Sequence, residues 1–207
     1  MHELRDEKLS MRRVLRFQPM GMARIAGRAG GRRQGMSKAV LISIRPEWVR
    51  KILNGSKTVE IRKTAPKCGV PFKCYIYCTQ SGTKKFWTGP RYSYADDHSH
   101  NQFDRCGNGK VIGEFVCDGI YPVRYTMDGF ADAVDCNRSL LKPSDFITYG
   151  KGKPLYGWHI SNLKIYDHQH DLWEFTGLRE TKYGLAPGPI TRPPQSWRYV
   201  EEELWND

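Results

Sequence analysis

From residue 38 onward, hydrophobic and polar positions follow first one rhythm and then another, and each change of rhythm marks an element. Ala39 to Ile44 is an unbroken apolar, largely β-branched run, the pattern of a strand buried on both faces. Pro46 suits the first position of a helix, where its missing N–H has no partner to lose. Trp48, Val49, Ile52 and Leu53 then form one apolar face, and Gly55 supplies the left-handed cap that ends the helix. Lys57 to Lys63 alternates as a second strand, with Val59 and Ile61 pointing one way and Thr58, Glu60 and Arg62 the other. Phe72–Thr79 and Lys110–Asp118 predict two further strands. The latter is apolar on both faces except at Glu114, which this alternation puts on one face with Ile112 and Val116.

A polar, Gly-rich insertion over 80–109 separates those two strands and is too long for a tight hairpin. Past Tyr121 the pattern weakens. Asp128–Cys136 predicts a short helix, Ser144 is placed to cap another turn through Tyr149, and Trp158–Tyr166 reads as a strand. Prolines at 187, 189, 193 and 194 then suggest an extended arm leading to Trp197, Tyr199 and Val200. The sum is an α+β domain dominated by sheet: a small β-barrel of five to six strands, one early helix and short peripheral helices. It is expected over 36–170, with 171–207 as a Pro-rich C-terminal arm packed on it. Residues 1–35 lack periodicity and read as a disordered basic tail or the product of a mis-set start codon, with Met36 as the real beginning.

Charge changes this picture less than its total suggests. The chain carries a net +11, but residues 1–35 hold nine Lys/Arg against three Asp/Glu, so more than half of the excess lies outside the expected domain. What is left permits contact with a polyanion without demanding it. No apolar run approaches the roughly 20 residues of a membrane-spanning helix. The six cysteines (68, 74, 78, 106, 117, 136) form no CxxC pair. Cys74 and Cys78 share parity with Phe72 and Ile76, which makes them small core residues. With no secretion signal, reduced thiols in a cytoplasmic protein are expected.

At the helix-to-strand junction the chain reads Gly55-Ser56-Lys57-Thr58-Val59-Glu60-Ile61-Arg62. This resembles the G-x-K-x-x-E-x-R signature of the ASCH domain family, within the PUA-like superfamily. The lead-in Leu41 to Pro46 and the later stretches Lys110–Phe115, Tyr149–Tyr166 and Arg192–Trp197 are similar to a bacterial and phage-borne ASCH subgroup. The resemblance implies a small PUA-like barrel. It also implies one of three activities assigned among such domains: RNA binding, hydrolysis of N4-acetylcytidine, or RNA cleavage. Two departures matter. Members of the subgroup often carry a tail cysteine cluster, whereas this chain has no cysteine after Cys136. In the acetylcytidine hydrolases the lysine works with a threonine and a glutamate, and the threonine's position, three after Lys57, is here Glu60.

The candidate chemistry follows from these residues. Lys57, just after a glycine turn, is either a phosphate anchor or, if desolvated, a base or nucleophile activator. Glu60 and Arg62 share a strand face. The arginine fork suits a phosphate or base edge, and the glutamate can accept from an exocyclic amine; the plain alternative is an ion pair. Glu114, if buried, is a general acid or base, so Lys57, Glu60 and Glu114 form the catalytic set of a hydrolase reading. Lys57, Thr58, Glu60, Arg62, Trp87 and Arg91 form the ligand set of a binding reading, in which aromatics among cations in the insertion stack bases. His159 is expected to be a structural, hydrogen-bonded histidine. No nucleophile elbow, Walker loop or dinucleotide fingerprint is present, and the expectation is no cofactor and no metal. The leading reading is an RNA- or modified-nucleoside-binding module. Its rivals are a metal-independent hydrolase (amidohydrolase or ribonuclease) and a protein-interaction module that uses the Pro-rich tail.

Overall fold

The computed structural model describes residues 37–80, 87–88, 105–127, 129 and 131–203. The predicted opening holds closely. β1 (Lys38–Ile44) leads into α1 (Pro46–Leu53), with Pro46 in the first turn. Val49 and Ile52 are buried, while Trp48 and Leu53 pack against the same core. Gly55 follows at φ +74°, a conformation that costs a glycine nothing. Then come β2 (Val59–Arg62), β3 (Phe72–Cys78), β4 (Trp87–Thr88), β5 (Arg105–Cys106), β6 (Val111–Cys117) and β7 (Ile120–Pro122). The helices α2 (Ala133–Ser139) and α3 (Pro143–Gly150) precede β8 (Tyr156–His159), β9 (Ser161–His170), β10 (Thr176–Thr181), β11 (Gly184–Pro189) and β12 (Trp197–Glu201).

These strands do not form a barrel of five or six. A mixed seven-stranded sheet has the order β11-β10-β12-β1-β3-β6-β9, beside a three-stranded sheet β2-β8-β7 and the two-stranded β4-β5. Among the described residues the large sheet has two ends, β11 and β9, so the α+β class stands but closure into a barrel does not. β1 lies near its middle, parallel to β3 and antiparallel to β12, which is why Ala39 to Ile44 is buried on both faces.

Three further expectations need correction. The run Trp158–Tyr166 is two strands in different sheets, parted at Ile160, whose N–H donates to the Thr58 carbonyl just before β2. The segment after residue 170 is no simple arm, because β10 and β11 pair along their whole length as a hairpin and β12 enters the sheet interior. The helices also start elsewhere. The Asp132 carboxylate accepts from the Val134 N–H and opens α2. Asp145, not Ser144, supplies the cap of α3 by accepting from the Lys142 N–H at 2.8 Å.

Two large apolar clusters lie on opposite faces of the seven-stranded sheet. The first contains Val40, Ile42, Phe72, Cys74, Ile76, Phe115, Cys117 and Trp158. The second contains Ala39, Leu41, Tyr75, Tyr166 and Phe175. A third cluster joins Val59 and Ile61 to Phe146 and Leu155 under the two helices. The three-stranded sheet thus has apolar residues on both of its faces, with Val59 and Ile61 toward the helices and Trp158 toward the large sheet. Among the described residues no helix is long and apolar enough to cross a membrane.

Candidate functional site

The two faces of β2 explain the site. Val59 and Ile61 are drawn into the helical cluster, so alternation sends Glu60 and Arg62 to the opposite face, where Glu60 sits directly across from Trp158. That face looks toward the first cluster and the end of β1. Every residue of β2 is buried, and Glu60 and Arg62 expose only 8% and 7% of their surface. Two ionised side chains at that depth are tolerable only with partners.

The partners form a chain. The Lys57 ammonium lies 3.3 Å from Glu60 Oε2, and the Arg62 guanidinium lies 3.0 Å from Glu60 Oε1. Lys57 Nζ also donates to the carbonyls of Val59 (2.8 Å) and Ser139 (2.9 Å), so its three N–H bonds are directed at three acceptors. Ser139 ends α2, which means that Lys57 ties that helix to β2. Burial depresses the Lys57 pKa, and the Glu60 carboxylate opposes the shift. Lys57 is 3% exposed and engaged on all three N–H bonds, which is the desolvated of the two alternatives left open by the sequence. Thr58 is held through its backbone, with its N–H donating to the Arg138 carbonyl.

Arg62 is less completely satisfied. Its Nη2 donates to the Ser43 carbonyl at 2.7 Å, while Nη1 reaches Ser196 Oγ only at 3.4 Å. Its Nε is buried with no hydrogen-bond partner, and the same is true of Trp158 Nε1 on the same face. A buried donor left unpaired costs on the order of 1–3 kcal/mol. Two cations therefore surround one carboxylate, and one arginine donor, Nε, is left unpaired.

The C-terminal segment walls this corner. The Ser43 N–H donates to the Ser196 carbonyl, and Ser43 Oγ donates to the Pro194 carbonyl at 2.6 Å. Trp197 packs on Trp158 with ring centroids 5.7 Å apart and donates to Thr64 Oγ1. Tyr149 completes the rim. Burial raises its hydroxyl pKa, and the nearby Arg62 charge opposes that rise.

The remaining predicted residues lie elsewhere. A register shift between the pairings of Ile76 and Tyr77 puts a bulge in β6. Such a bulge breaks the period of two, so Ile112 joins Phe115 and Cys117 in the first cluster. Glu114 therefore faces away from Ile112, toward the second cluster. There it accepts from the Tyr166 hydroxyl at 2.6 Å and pairs with Lys73 at 3.5 Å. The structure brings Lys57, Glu60 and Arg62 together and leaves Glu114 on the other side of the large sheet. Trp87 lies in β4, but its side chain and Arg91 fall outside the described residues. His159 is hydrogen-bonded, its Nδ1 lying 2.6 Å from Asp118. Among the described residues no group of three or more metal-capable side chains forms a site.

Sequence reasoning missed the acceptors that hold the two cations, the carbonyls of Ser43 and Ser139, because a backbone carbonyl leaves no residue-type signal. It also missed Tyr149 and Ser196. The latter lies in the stretch Arg192–Trp197, whose resemblance to the ASCH subgroup was the available clue.

No protein-family model and no curated protein matches the chain. Among solved structures it is similar to the ASCH protein of Zymomonas mobilis, at 17% identity over 79% of this chain and 88% of that one, with a TM-score of 0.47. Single-residue variants of that protein, one Tyr→Phe and one Ser→Ala, match at 16% identity over 79% and 81% of this chain and 91% of each of theirs, with TM-scores of 0.44 and 0.46. These neighbours are ASCH proteins, as the Lys57–Arg62 spacing resembles. At such identities and TM-scores the likeness carries no argument about chemistry, which rests on the residues themselves.

Proposed function

We propose that the corner formed by β2, the end of β1 and the Pro194–Trp197 segment binds RNA or a modified nucleoside. The observation that carries this reading is the buried Lys57–Glu60–Arg62 chain, with Arg62 Nε buried and unpaired at its end. A set of buried charges built only for stability has no use for an unspent donor, since apolar residues of similar volume are often as stable or more so. An acceptor oxygen from a ligand would satisfy Arg62, and Glu60, oriented by two cations, would accept from an amine of the same ligand. Lys57 is then a positioning residue: it fixes Glu60 and the α2 terminus without touching the ligand. The test is equilibrium binding of mixed-sequence RNA and of ribonucleosides to the protein and to Arg62→Ala. The expected result is loss of binding in the variant, and equal binding by both would place any site elsewhere.

One observation favours a hydrolase as a second reading. A lysine held below its ordinary pKa beside a carboxylate is a usual feature of acid–base sites, and Glu60 in the position of the family's threonine would make it a different site from that of the acetylcytidine hydrolases. Single-turnover assays with acylated cytidine and with RNA, at enzyme excess, check it. Absence of product from both would leave the binding reading alone.

A further inference from the structure

On the face of the large sheet away from this corner, one arginine has no anion. Arg198 of β12 lies opposite Leu41 in the backbone register and so shares the face of the second cluster. It is half-buried. Among the described residues nothing accepts a hydrogen bond from its guanidinium: Nε is sealed and unpaired, while the two Nη atoms are unpaired and reach solvent. The fold has nevertheless made room for this group. A Cβ on Gly177 of β10 would lie 2.7 Å from Arg198 Cζ and closer still to Nη2, so the guanidinium takes the place of a side chain. The carboxylates grouped around the second cluster are engaged elsewhere, Glu114 and Glu202 with Lys73, Asp171 with Lys110, and Glu174 with His170. On β10 alternation puts Arg179 on the face of Gly177 and turns Glu180 to the opposite one, with Leu178 and Leu185. No acid of the neighbouring strand is thus offered to Arg198.

We infer that Arg198 is the binding site of a small molecule that carries a carboxylate. The site is independent of the function proposed above, since it lies on the opposite face of the sheet and uses none of the same residues. A charge withdrawn this far from water is ordinarily paired, and here the protein supplies the seat without the partner. The two Nη groups present coplanar N–H bonds at one edge of the guanidinium, the spacing that meets both oxygens of a carboxylate. One guanidinium also balances the single charge of a carboxylate, whereas a phosphate near neutral pH carries about −1.5 to −2. Beside the guanidinium, Gly177 faces Gly188 of β11, two residues without side chains, and buried Ile190 borders them. The strand surface there is low enough to admit the body of the ligand.

The experiment follows thermal unfolding of the full chain in rising acetate, inorganic phosphate or chloride, at matched ionic strength and near neutral pH. A ligand that binds only the folded chain raises Tm with its concentration. General salt effects on stability are removed by subtracting the shift of Arg198→Gln in the same solution. Acetate should then raise the Tm of the wild type by about 2–4 °C, phosphate by less and chloride not at all. Arg198→Lys keeps the charge without the planar fork and should lose most of the acetate shift. Gly177→Ala keeps the arginine but pushes its guanidinium off the strand, an adjustment that a flexible side-chain end can make, and should lose the shift as well. Equal acetate shifts in the wild type and Arg198→Gln would overturn the site. A phosphate shift as large as that of acetate would overturn the carboxylate assignment. A full acetate shift in Arg198→Lys or in Gly177→Ala would overturn the seated, two-pronged geometry. Binding of RNA and nucleosides at Arg62 is read separately and is unaffected by any of these outcomes.

Discussion

Two glutamates on two sides of the large sheet hold similar partners and behave differently. Glu60 lies between Lys57 and Arg62, with its side chain 11% exposed, and the network around it ends at an unpaired arginine N–H. Glu114, 19% exposed, takes a hydroxyl from Tyr166 and an ammonium from Lys73. Lys73 goes on to Glu202 at 3.3 Å, while the Tyr75 hydroxyl accepts from the Glu203 N–H. The second network ends on the chain itself: it staples residues 202–203 across the sheet. The first ends on a buried N–H that has no acceptor. Local composition does not separate the two, but what each network ends on does.

The comparison breaks most visibly through Glu60. Glu60→Ala leaves two buried cations without their anion and should cost about 3–5 kcal/mol of stability, read from denaturant unfolding; a loss below about 1 kcal/mol would mean that the chain of charges is not held as described. The comparison is sharpened by replacing the whole set. Lys57→Met, Glu60→Leu and Arg62→Met together should recover most of that loss while RNA and nucleoside binding disappears. A triple variant that still binds would remove the proposed site.

Lys57→Met alone strands the carbonyls of Val59 and Ser139 and should cost about 2–3 kcal/mol, with ligand affinity reduced less than by Arg62→Ala. Glu114→Gln should cost about 1 kcal/mol and leave binding untouched. Binding that failed in this variant would return Glu114 to the site.

The smallest expected effect is in pH. Native Lys57, depressed by burial, releases its proton below the ordinary 10.5, where the unfolded chain still holds one. The unfolded state then binds more protons, so stability from this group rises with pH up to that value. Urea midpoints of the wild type and Lys57→Met, compared from about pH 7 to about pH 10, should drift apart in favour of the wild type. The Cys117 thiol, which burial pushes from 9.0 to about 12, has the opposite sign: its contribution is present below 9.0 and is lost as pH rises toward 12. It is common to both proteins and cancels. A gap that stayed level would show that Glu60 fully offsets the burial of Lys57.

The elements legible in the sequence were those whose burial follows a simple period. β1 has no polar position to interrupt it, α1 carries both its proline start and its glycine stop, and β2 alternates cleanly. Cys74 and Cys78, placed in the core by parity with Phe72 and Ile76, are there. The rest was hidden for identifiable reasons. One bulge at Ile112 shifted the phase of β6 and moved Glu114 to the other face. A change of sheet at Ile160 leaves no mark in hydropathy, because both halves of the run are strand. The β10–β11 hairpin is glycine- and proline-rich at an edge, where proline is tolerated and the pattern reads as loop. Within the site, Lys57, Glu60 and Arg62 were legible from spacing and resemblance, whereas their roles depended on the carbonyls that face them.

The place of β12 bears on how the protein is made. It is threaded between β10 and β1, so a nascent chain on the ribosome presents β1 with an unfilled side until residue 201 has emerged. Until then the most apolar strand of the protein keeps a bare row of peptide groups, and the hairpin has nothing to join. The native sheet is therefore completed only once β12 has emerged, and a frameshift or premature stop near residue 196 would yield an aggregation-prone product for the quality-control machinery rather than a shortened, working domain.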